Sequence, residues 1–320
     1  MRRILYLGYY LTDTDWQLFR KFFNYVREKN KVGSIRLIMD VLISSVRHNC
    51  SLLDYFYFRF YEIDELEKSN YAGTGYMYEF QKKMNPPESR SILRDKRIFL
   101  VKYDPYIKHG HVTLSQLEKD SSLAFDILSN PSERVVLKDA EGQCGNGIKV
   151  LSVEGLNGEI LIDQLRKSGN NLVEEFIVQH SDLQRLAPNG LNTVRIVTQL
   201  LARGEVEIVT ARLRMTVDAN VDNLAAGNIA APVDVVTGKV SGPAVYSDIT
   251  KSTETRHPRT GTVLADFQIP YWQETLDMIR KAAQTHSDNR SIGWDIAITQ
   301  VGPELLEGNH DWCNLLWQLP

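Results

Sequence analysis

The sequence predicts a mixed α+β protein in which antiparallel hairpins follow an N-terminal helical region. Three observations support this class. Apolar residues recur at helical spacing through residues 13–60. From residue 134 onward, short apolar runs are separated by turn signals, many of which contain glycine. The regular strand–helix alternation of a parallel sheet is missing from the pattern, so a Rossmann-type fold is disfavoured.

Composition restricts the class of protein further. The 320 residues are 43% hydrophobic and 24% charged, which is typical of a globular chain long enough for two or three lobes. The net charge of −3 gives no reason to expect a nucleic-acid partner. Cys50, Cys144 and Cys313 show neither disulfide nor zinc spacing, which favours a reducing compartment. No apolar run has the length of a membrane span and no cleavage site follows the basic start, so we expect a cytoplasmic protein.

Residues 1–88 are predicted to form a mainly helical region. One helix begins behind a cap at Asp13 or Thr14, and a second begins after Ser34. Their apolar faces are expected to contain Trp16, Phe19, Phe23 and Val26 in the first, and Ile35, Ile38, Val41, Leu42 and Val46 in the second. The aromatic stretch 51–61 is interpreted as the core of this region, although weak contact with a membrane surface stays open. Pro86 and Pro87 mark its end.

The following elements are assigned from periodicity and turn chemistry. A helix is predicted at 114–128, ending before Pro131, and another at 271–286. The predicted strands are 134–138, 147–153, 171–178, 192–201, 205–217, 229–236, 239–245, 294–299 and 303–309. The helix at 271–286 is expected to bury Trp272, Leu276, Ile279 and Ala283.

The last predicted hairpin brings oxygen ligands together. A three-residue loop ending at Gly302, where a left-handed backbone is needed, places Asp295 opposite Glu307. Strand alternation places Asn309 on the same face as Glu307. Two carboxylates and a carboxamide, without histidine or cysteine, suit magnesium held against phosphates. The alternative is a surface hairpin with solvated acids.

A glycine-rich loop follows the strand that ends at Lys138. Gly142, Gly145 and Gly147 let backbone N–H groups approach phosphate oxygens, while the lysine supplies a positive charge. The pattern is neither a Walker A loop nor a dinucleotide fingerprint, because a strand and not a helix follows the loop. An ordinary turn is the alternative interpretation.

The segment 172–180 contains a predicted apolar strand that carries two acids and then leaves the sheet. Glu174 and Glu175, followed by Phe176 and Ile177, fit a segment that presents backbone groups and an apolar floor to a purine. The alternative is an edge strand with solvated glutamates.

Arginines cluster on one face of the predicted 192–217 hairpin. A two-residue turn at Arg203 and Gly204 places Arg195 opposite Arg212, and Thr193 and Arg214 then share that face. Guanidinium groups so close together need an anion, and phosphate or carboxylate recognition is the obvious use. The alternative is neutralisation by acids elsewhere, such as Glu205 and Glu207.

In this order, the motifs resemble the ATP-grasp family, in particular its sugar-transfer-associated group. The match covers about residues 90–315. The motifs are Asp95-Lys96, Lys138 before the glycine loop, Glu174-Glu175-Phe176-Ile177, Asn192 to Thr198, Asp222-Asn223, and Asp295 with Glu307 and Asn309. Three departures stand out: Asp139 replaces a frequent proline, Ala226 replaces a frequent glycine, and Gly293 occupies a position where several ligases of the family carry an arginine.

The resemblance implies an ATP-grasp fold, with a small lobe at 89–176 whose glycine-rich hairpin closes as a lid, and a large lobe at 177–320 that holds the metals. It implies ATP contacts by Lys96, Lys138, Gly142, Gly145, Gly147, Glu174, Glu175, Phe176, Ile177 and Asp182. It implies two Mg²⁺ ions on Asp295, Glu307 and Asn309. Arg195, Arg212 and Arg214 are then expected to stabilise the transferring phosphoryl group, and Asn192, Asp222 and Asn223 to line the acceptor pocket.

The activity that the resemblance implies is ligation of a carboxylate to an amine through an acylphosphate. A uronic acid, expected to be nucleotide-linked, would be joined to an amino acid during polysaccharide biosynthesis, as in capsule or O-antigen assembly. Two alternatives stay open: a ligase of amino acids or peptides, and a Mg-ATP-binding protein without catalysis. Cys144 is expected to be incidental, because this chemistry needs no side-chain nucleophile.

Overall fold

The computed structural model describes residues 2–142, 147–219 and 223–318. Gly145 and Asp222, two of the expected site residues, and Cys144 therefore lie outside the described residues. The described chain contains an N-terminal helical region, a four-stranded antiparallel sheet and a five-stranded antiparallel sheet. The α+β class and the N-terminal helices are confirmed.

The N-terminal helices bury the aromatic stretch between them. Tyr55, Phe56, Phe58 and Phe60 are all buried, so these aromatic side chains form a core and are not available to a membrane surface. The helices are α1 (Arg2–Asp13), α2 (Trp16–Asn30), α3 (Ser34–His48), α4 (Asp54–Tyr57), α5 (Glu65–Lys68) and α6 (Thr74–Met84).

Two details of the helical prediction were wrong. The cap of α2 is Asp15, whose Oδ1 accepts the N–H groups of Gln17 and Leu18 at 2.9 and 3.0 Å. Asp13 instead ends α1, a helix that the sequence analysis did not assign. Trp16 is exposed, because α2 turns Phe22 and Val26 toward the core. Ile35 and Ile38 are exposed as well, because α3 turns Leu37 and Val41 toward the core.

The smaller sheet has the strand order β1–β4–β2–β3, formed by β1 (His111–Thr113), β2 (Arg134–Lys138), β3 (Lys149–Ser152) and β4 (Leu172–Glu175). Strand β4 lies between β1 and β2, so the edge-strand interpretation of this segment was wrong. The helices before and beside this sheet are α7 (Ser91–Arg94), α8 (Lys96–Lys102), α9 (Leu114–Lys119), α10 (Ala124–Leu128) and α11 (Gly158–Ser168). The single helix predicted at 114–128 is broken at Asp120, which caps a 3₁₀ turn.

The larger sheet has the order β7–β6–β5–β8–β9, formed by β5 (Thr193–Leu200), β6 (Val206–Met215), β7 (Ile229–Val233), β8 (Ser291–Thr299) and β9 (Gly302–Asn309). The remaining helices are α12 (Ser181–Leu186), α13 (Trp272–Thr285) and α14 (Asn314–Gln318). Helix α13 buries Trp272, Leu276, Ile279 and Ala283 against this sheet, as predicted. The strand predicted at 239–245 is wrong: it forms only single bridges, such as Val240 with Val233.

The β8–β9 hairpin pairs Asp295 with Glu307, as predicted, but through a different connection. Thr299 pairs with Gly302, so the loop has two residues and not three. A bulge at Leu306 then inserts one residue and restores the predicted pairing. Gly302 has φ = 104°, in the region that favours glycine.

The β5–β6 hairpin also differs from the prediction in its loop length and in a bulge, but here the loop is longer and not shorter. Its connection is one residue longer than predicted, since the N–H of Leu201 bonds to the carbonyl of Glu205 at 2.8 Å. An irregularity between Val197 and Thr198 compensates for the extra residue. Arg195 therefore lies opposite Arg212, and Thr193 opposite Arg214, as predicted.

The helical region is joined to the larger sheet by buried polar contacts. Asn85 Nδ2 donates to the carbonyls of Ser291 and His310 at 2.6 and 2.7 Å, and its Oδ1 accepts the N–H of Ser291 at 3.1 Å. The Gln81 side chain donates to the carbonyl of Trp312 at 2.6 Å. These bonds fix α6 against the strand ends that carry the candidate site.

Candidate active site

A cavity of about 950 Å³ lies where the two sheets and the N-terminal helices meet. We call it the central cavity. It brings together most of the residues that the sequence analysis singled out. These are Lys96, Lys138, Gly142, Glu174, Glu175, Phe176, Ile177, Thr193, Arg195, Arg214, Asn223, Asp295, Glu307 and Asn309.

Lys138 ends β2 and forms an ion pair with Glu174 on the neighbouring strand β4. Glu174 is 3% exposed, and its carboxylate also lies 3.7 Å from Nε2 of His109. Burial alone would raise the pKa of Glu174, but Lys138 and His109 outweigh it and hold the pKa below its ordinary value. The lysine expected at the phosphates is therefore fixed in place by a buried carboxylate.

His109 connects this pair to the larger sheet. Its Nδ1 lies 2.7 Å from Glu304 Oε2 on β9, and the same oxygen accepts the N–H groups of Lys108 and His109 at 3.0 Å each. Burial tends to raise the pKa of Glu304, but these donors outweigh burial and hold the pKa below its ordinary value. A continuous chain of contacts thus runs from Lys138 through Glu174 and His109 to Glu304.

Lys96 begins helix α8 and reaches across the cavity wall. Its Nζ donates to the carbonyl of Gly142 at 2.6 Å and lies 3.9 Å from Glu307 Oε2. The preceding Asp95 caps α8 and binds the guanidinium group of Arg97, which lowers the pKa of that carboxyl. Lys96 therefore joins the glycine-rich loop to the carboxylates of the larger sheet.

Asp295 is held by two arginines from the neighbouring strands. Arg195 binds it in a bidentate fork, with Nη2 to Oδ2 at 2.8 Å, and Arg214 Nη1 lies 3.0 Å from Oδ1. Burial would raise the pKa of Asp295, but the two guanidinium groups outweigh it and lower the pKa. The predicted arginine face thus has an acid partner. It is Asp295 and not Glu205, which pairs with Arg203.

Glu307 lies beside Asp295, but its pKa is shifted in the opposite direction. Burial and the adjacent Asp295 carboxylate raise the pKa of Glu307, and Lys96 only partly offsets this. Asn309 Nδ2 lies 3.4 Å from Glu307 Oε1, so the predicted trio is assembled. Two adjacent carboxylates repel each other unless a proton or a cation lies between them.

The donor chemistry of this trio fits magnesium, which prefers hard oxygen ligands. In the described ranges, no cluster of three or more acid, histidine or cysteine side chains could hold a metal. The trio has two acids and one carboxamide, so any ion held there needs further oxygens from water or substrate. Triphosphate oxygens meet that need, since magnesium is commonly shared between one or two carboxylates and substrate phosphates.

Besides Gly147, three expected site residues of the described chain lie away from the cavity lining. Arg212 is buried under the C-terminal helix, where Nη2 donates to the carbonyl of Trp317 at 2.7 Å, and burial lowers its pKa. Asn192 is fully buried and its carboxamide bonds to Gln179, Ala187 and Thr216. Asp182 lies in the first turn of α12, which His180 caps, and it pairs with Arg185 on the surface. The structure thus shows these three residues in packing and ion-pair contacts.

The remaining expected residues take distinct places. Glu175 accepts the N–H of Gly110 at 3.1 Å, and the guanidinium carbon of Arg134 lies 3.7 Å from the ring centroid of Phe176. Gly147 is outside the cavity lining, with φ = 75° in the β2–β3 hairpin. Asn223 caps the turn Leu224–Ala226 beside the cavity.

Gly293 occupies the position at which, by the resemblance described above, several ATP-grasp ligases carry an arginine. A Cβ at Gly293 would lie 2.6 Å from Cβ of Trp312 and 3.6 Å from Cδ of Arg195. No side chain fits there while Trp312 is packed against the strand. The space beside the acid is taken by Arg195, which comes from the neighbouring strand β5.

Several residues in or directly behind the cavity wall were not predicted from the sequence. His109 and Glu304 gave no signal, because the bulge at Leu306 is what turns Glu304 to the face of Asp295 and Glu307. Arg134 is separated by more than 40 residues in sequence from the aromatic ring of Phe176 that it covers. Lys21 and Tyr57 come from the helical region, where only packing was predicted.

The family is decided by a match over most of the chain. The family model described as "Sugar-transfer associated ATP-grasp" matches residues 76–320. The chain belongs to this ATP-grasp family. The helices before residue 76 lie outside the matched segment.

Solved structures with a similar fold include three bacterial enzymes. D-alanyl-alanine synthetase A from Vibrio cholerae is 13% identical, with 70% of this chain and 56% of that chain covered and a TM-score of 0.41. D-alanine-D-alanine ligase from Helicobacter pylori is 12% identical, with 72% and 59% covered and a TM-score of 0.44. Biotin carboxylase from Campylobacter jejuni is 14% identical, with 70% and 41% covered and a TM-score of 0.43. This ATP-grasp chain therefore spans between 41% and 59% of the length of these three relatives.

No curated protein sequence matches this ATP-grasp chain. In the described residues, none of the helices combines the length and the apolar character needed to cross a bilayer.

The Glu304 contacts generate a prediction about stability and pH. Replacing Glu304 with glutamine weakens three hydrogen bonds to Lys108 and His109, and should lower the free energy of unfolding at pH 7 by about 2 kcal/mol. Because folding lowers the pKa of Glu304 below 4.5, its contribution is present above pH 4.5 and is lost as pH falls through the folded-state value.

Urea denaturation at pH 7 and at steps below pH 4.5 measures both effects. The difference between wild type and E304Q should shrink on acidification. Glu88 is exposed, and E88Q serves as the control with an unchanged unfolding free energy. Equal stability of E304Q and wild type at pH 7 would contradict the assignment.

Proposed function

We propose that this ATP-grasp protein is an ATP-dependent ligase that joins a carboxylate to an amine and releases ADP. The acid is a uronic acid, carried on a nucleotide, and the amine belongs to an amino acid. The product is an amide of a kind used in polysaccharide assembly, such as capsule or O-antigen. The observation that carries the proposal is the convergence of Lys96, Arg195, Arg214, Asp295 and Glu307 in one cavity.

The balance of charges supports phosphoryl transfer. Lys96 and Lys138 line the cavity as cations beside the glycine-rich loop, and the arginines bound to Asp295 add a second positive region. Phosphoryl transfer depends mainly on positioning and electrostatic stabilisation, so this set needs no nucleophilic side chain. Asp295, Glu307 and Asn309 would hold Mg²⁺, two ions in this proposal, which when bound neutralises charge that develops on the phosphate oxygens.

The proposed reaction has two balanced steps. A carboxylate oxygen of the acid bonds to the γ-phosphorus as the bond to the β-phosphate oxygen breaks, which releases ADP and leaves an acylphosphate. The amine nitrogen then bonds to the acyl carbon, inorganic phosphate leaves, and the nitrogen loses one proton. In this proposal Arg195 and Arg214 stabilise both the transferring phosphoryl group and the oxyanion of the second step.

The nucleotide is assigned to the side of the cavity formed by the smaller sheet. Phe176 and Ile177 supply apolar surface, and the buried pair of Lys138 and Glu174 supplies a fixed cation near it. A lysine whose position is fixed in this way needs no reordering when phosphate binds, which improves affinity.

The first test removes a charge from the proposed metal site. Glu307→Gln should reduce ADP release at least about 100-fold, and should abolish the dependence of ATP affinity on Mg²⁺. The fold should not lose stability, because burial and Asp295 already disfavour the Glu307 carboxylate and glutamine has the same shape.

Nucleotide-linked uronic acids combined with amino acids provide the substrate panel for ADP release, and calorimetry with and without Mg²⁺ provides the affinity. Glu207 is exposed on β6, and E207Q is the matched control. Wild-type turnover in E307Q would refute the metal assignment. Tight Mg-ATP binding by wild type without turnover on any acid would favour a non-catalytic binder.

The second test concerns Lys138. Lys138→Ala should raise the Michaelis constant for ATP by about tenfold or more, since it removes a charge-assisted contact to phosphate and leaves Glu174 buried without its main partner. Lys149 lies on the adjacent strand β3 and outside the cavity lining, so K149A should leave the constant unchanged. An unchanged Michaelis constant in K138A would remove this lysine from the ATP site.

A further inference from the structure

The central cavity extends beyond the residues used in the proposed chemistry. Its wall on that side is built by the N-terminal helices, which contribute Leu18 and Lys21 from α2 and Tyr57 from the end of α4. All three precede the segment that matches the family model. Asp248 and Leu224 of the larger lobe also line the cavity.

Lys21 and Asp248 form an ion pair that joins the two sides. Lys21 Nζ lies 2.6 Å from Asp248 Oδ2, and the other carboxylate oxygen accepts the N–H and hydroxyl of Thr250 at 3.1 and 2.7 Å. The lysine side chain is 50% exposed, so the pair contributes little to stability. Both residues line the cavity, and a lysine and a carboxylate can each form more hydrogen bonds than these contacts use.

Tyr57 offers a hydrogen-bond donor on the same wall. Its ring packs against Phe22 with centroids 5.5 Å apart, which fixes its direction. Burial raises the pKa of Tyr57 to about 12, so the hydroxyl stays protonated. Within the described part of the chain, that hydroxyl has no hydrogen-bond partner. A fixed, unpaired donor on a residue that lines the cavity is suited to recognising a polar ligand.

The wall is continuous with a single apolar core. Phe22 and Phe56 of the helices pack in the same buried cluster as Ile249, and Leu315 packs against it. The groups on both sides of the cavity therefore keep their spacing, as recognition by hydrogen bonds requires.

A cavity of about 950 Å³ lies near the upper end of the roughly 300–1,000 Å³ range of ligand pockets, so it can hold a second ligand beside a nucleotide. The polar groups on this wall are an ion pair and a phenol hydroxyl, spaced between apolar side chains. An apolar acid would cover the Tyr57 hydroxyl without pairing it and would remove water from the ion pair, which costs affinity. A hydroxyl-rich acid satisfies them.

We propose that the pocket bounded by Lys21, Tyr57 and Asp248 binds the sugar portion of the carboxylate substrate, and that the N-terminal helices determine which acid is accepted. This inference rests on the proposed function, because it assigns the substrate of the same site. Tyr57 and Lys21 donate to hydroxyl or ring oxygens, and Asp248 accepts from a hydroxyl. The three are specificity-determining residues and take no part in phosphoryl transfer.

Binding without ligation tests this pocket separately from catalysis. Calorimetry in the presence of Mg²⁺ and a non-hydrolysable ATP analogue would use D-glucuronate, D-galacturonate, D-mannuronate and their UDP-linked forms as probes. Cyclohexanecarboxylate, which lacks hydroxyl groups, is the comparison acid. Wild type should bind at least one sugar acid about tenfold or more tightly than the comparison acid.

Two variants and two matched controls locate the effect. Tyr57→Phe should weaken sugar-acid binding by about threefold to tenfold and Lys21→Met by about tenfold, with unchanged affinity for the ATP analogue. Lys29 is the control for Lys21, because it lies on the same helix in an exposed ion pair with Glu62 at 3.4 Å. Tyr61 is the control for Tyr57, because burial also raises its pKa to about 12 but it lies outside the cavity lining.

The outcomes separate the two proposals. The pocket is supported if Y57F and K21M weaken sugar-acid binding while Y61F and K29M do not. This holds even if no ADP is released, because a lack of ADP release would contradict only the proposed ligase activity. Turnover with wild-type sugar-acid affinity in Y57F and K21M would overturn the pocket and leave the ligase standing. The pocket would also be overturned if wild type bound none of the sugar acids.

Discussion

The buried contact between Asp295 and the two arginines is the interaction on which the site depends. Three neighbouring strands, β5, β6 and β8, supply one charge each, so the contact exists only while all three keep their register. A slip of one residue in any strand would turn its charged side chain into the apolar core. Removing one partner from a buried ion pair costs about 3–5 kcal/mol, so the chemistry of the site and the register of the sheet reinforce each other.

The electrostatic asymmetry of the two carboxylates follows from this contact. Both guanidinium groups bind Asp295 and lower its pKa, while burial and Asp295 raise the pKa of Glu307 and Lys96, at 3.9 Å, and Arg195 only partly offset this. The site is therefore electrostatically incomplete at Glu307. A divalent cation brought in with phosphate would complete it, which ties metal binding to nucleotide binding in the proposed enzyme.

The cross-strand pairs of the site could be predicted from the sequence, because the burial of one face of each strand restricts its register. The pairings of Asp295 with Glu307 and of Arg195 with Arg212 were predicted correctly, although both loop lengths from which they were derived were wrong. In each hairpin a bulge compensates for the difference in loop length. The apolar pattern indicates which residues share a face, but neither it nor the turn residues indicate where a bulge lies. Glu304 was overlooked for this reason, since only the bulge at Leu306 brings it to the face of the site.

Other parts of the site depend on contacts that are distant in sequence. Arg212 shares the arginine face, yet helix α14 covers it, and no local pattern indicates where that helix packs. Asn192 looked available for substrate, but it is consumed by bonds to Gln179 and Thr216. The family motifs contain no residue of the N-terminal helices. Tyr57 and Lys21 line the cavity because the N-terminal helices pack beside the larger sheet, and no local sequence pattern indicates that packing.

The most direct test of the account is a crystal structure of the protein with a non-hydrolysable ATP analogue and Mn²⁺, located by its anomalous scattering in place of magnesium. The account predicts manganese within about 2.2 Å of oxygens of Asp295, Glu307 and Asn309 and of the triphosphate. It also predicts that Arg195 or Arg214 contacts the γ-phosphate. Manganese bound elsewhere, or a triphosphate remote from these arginines, would contradict the account.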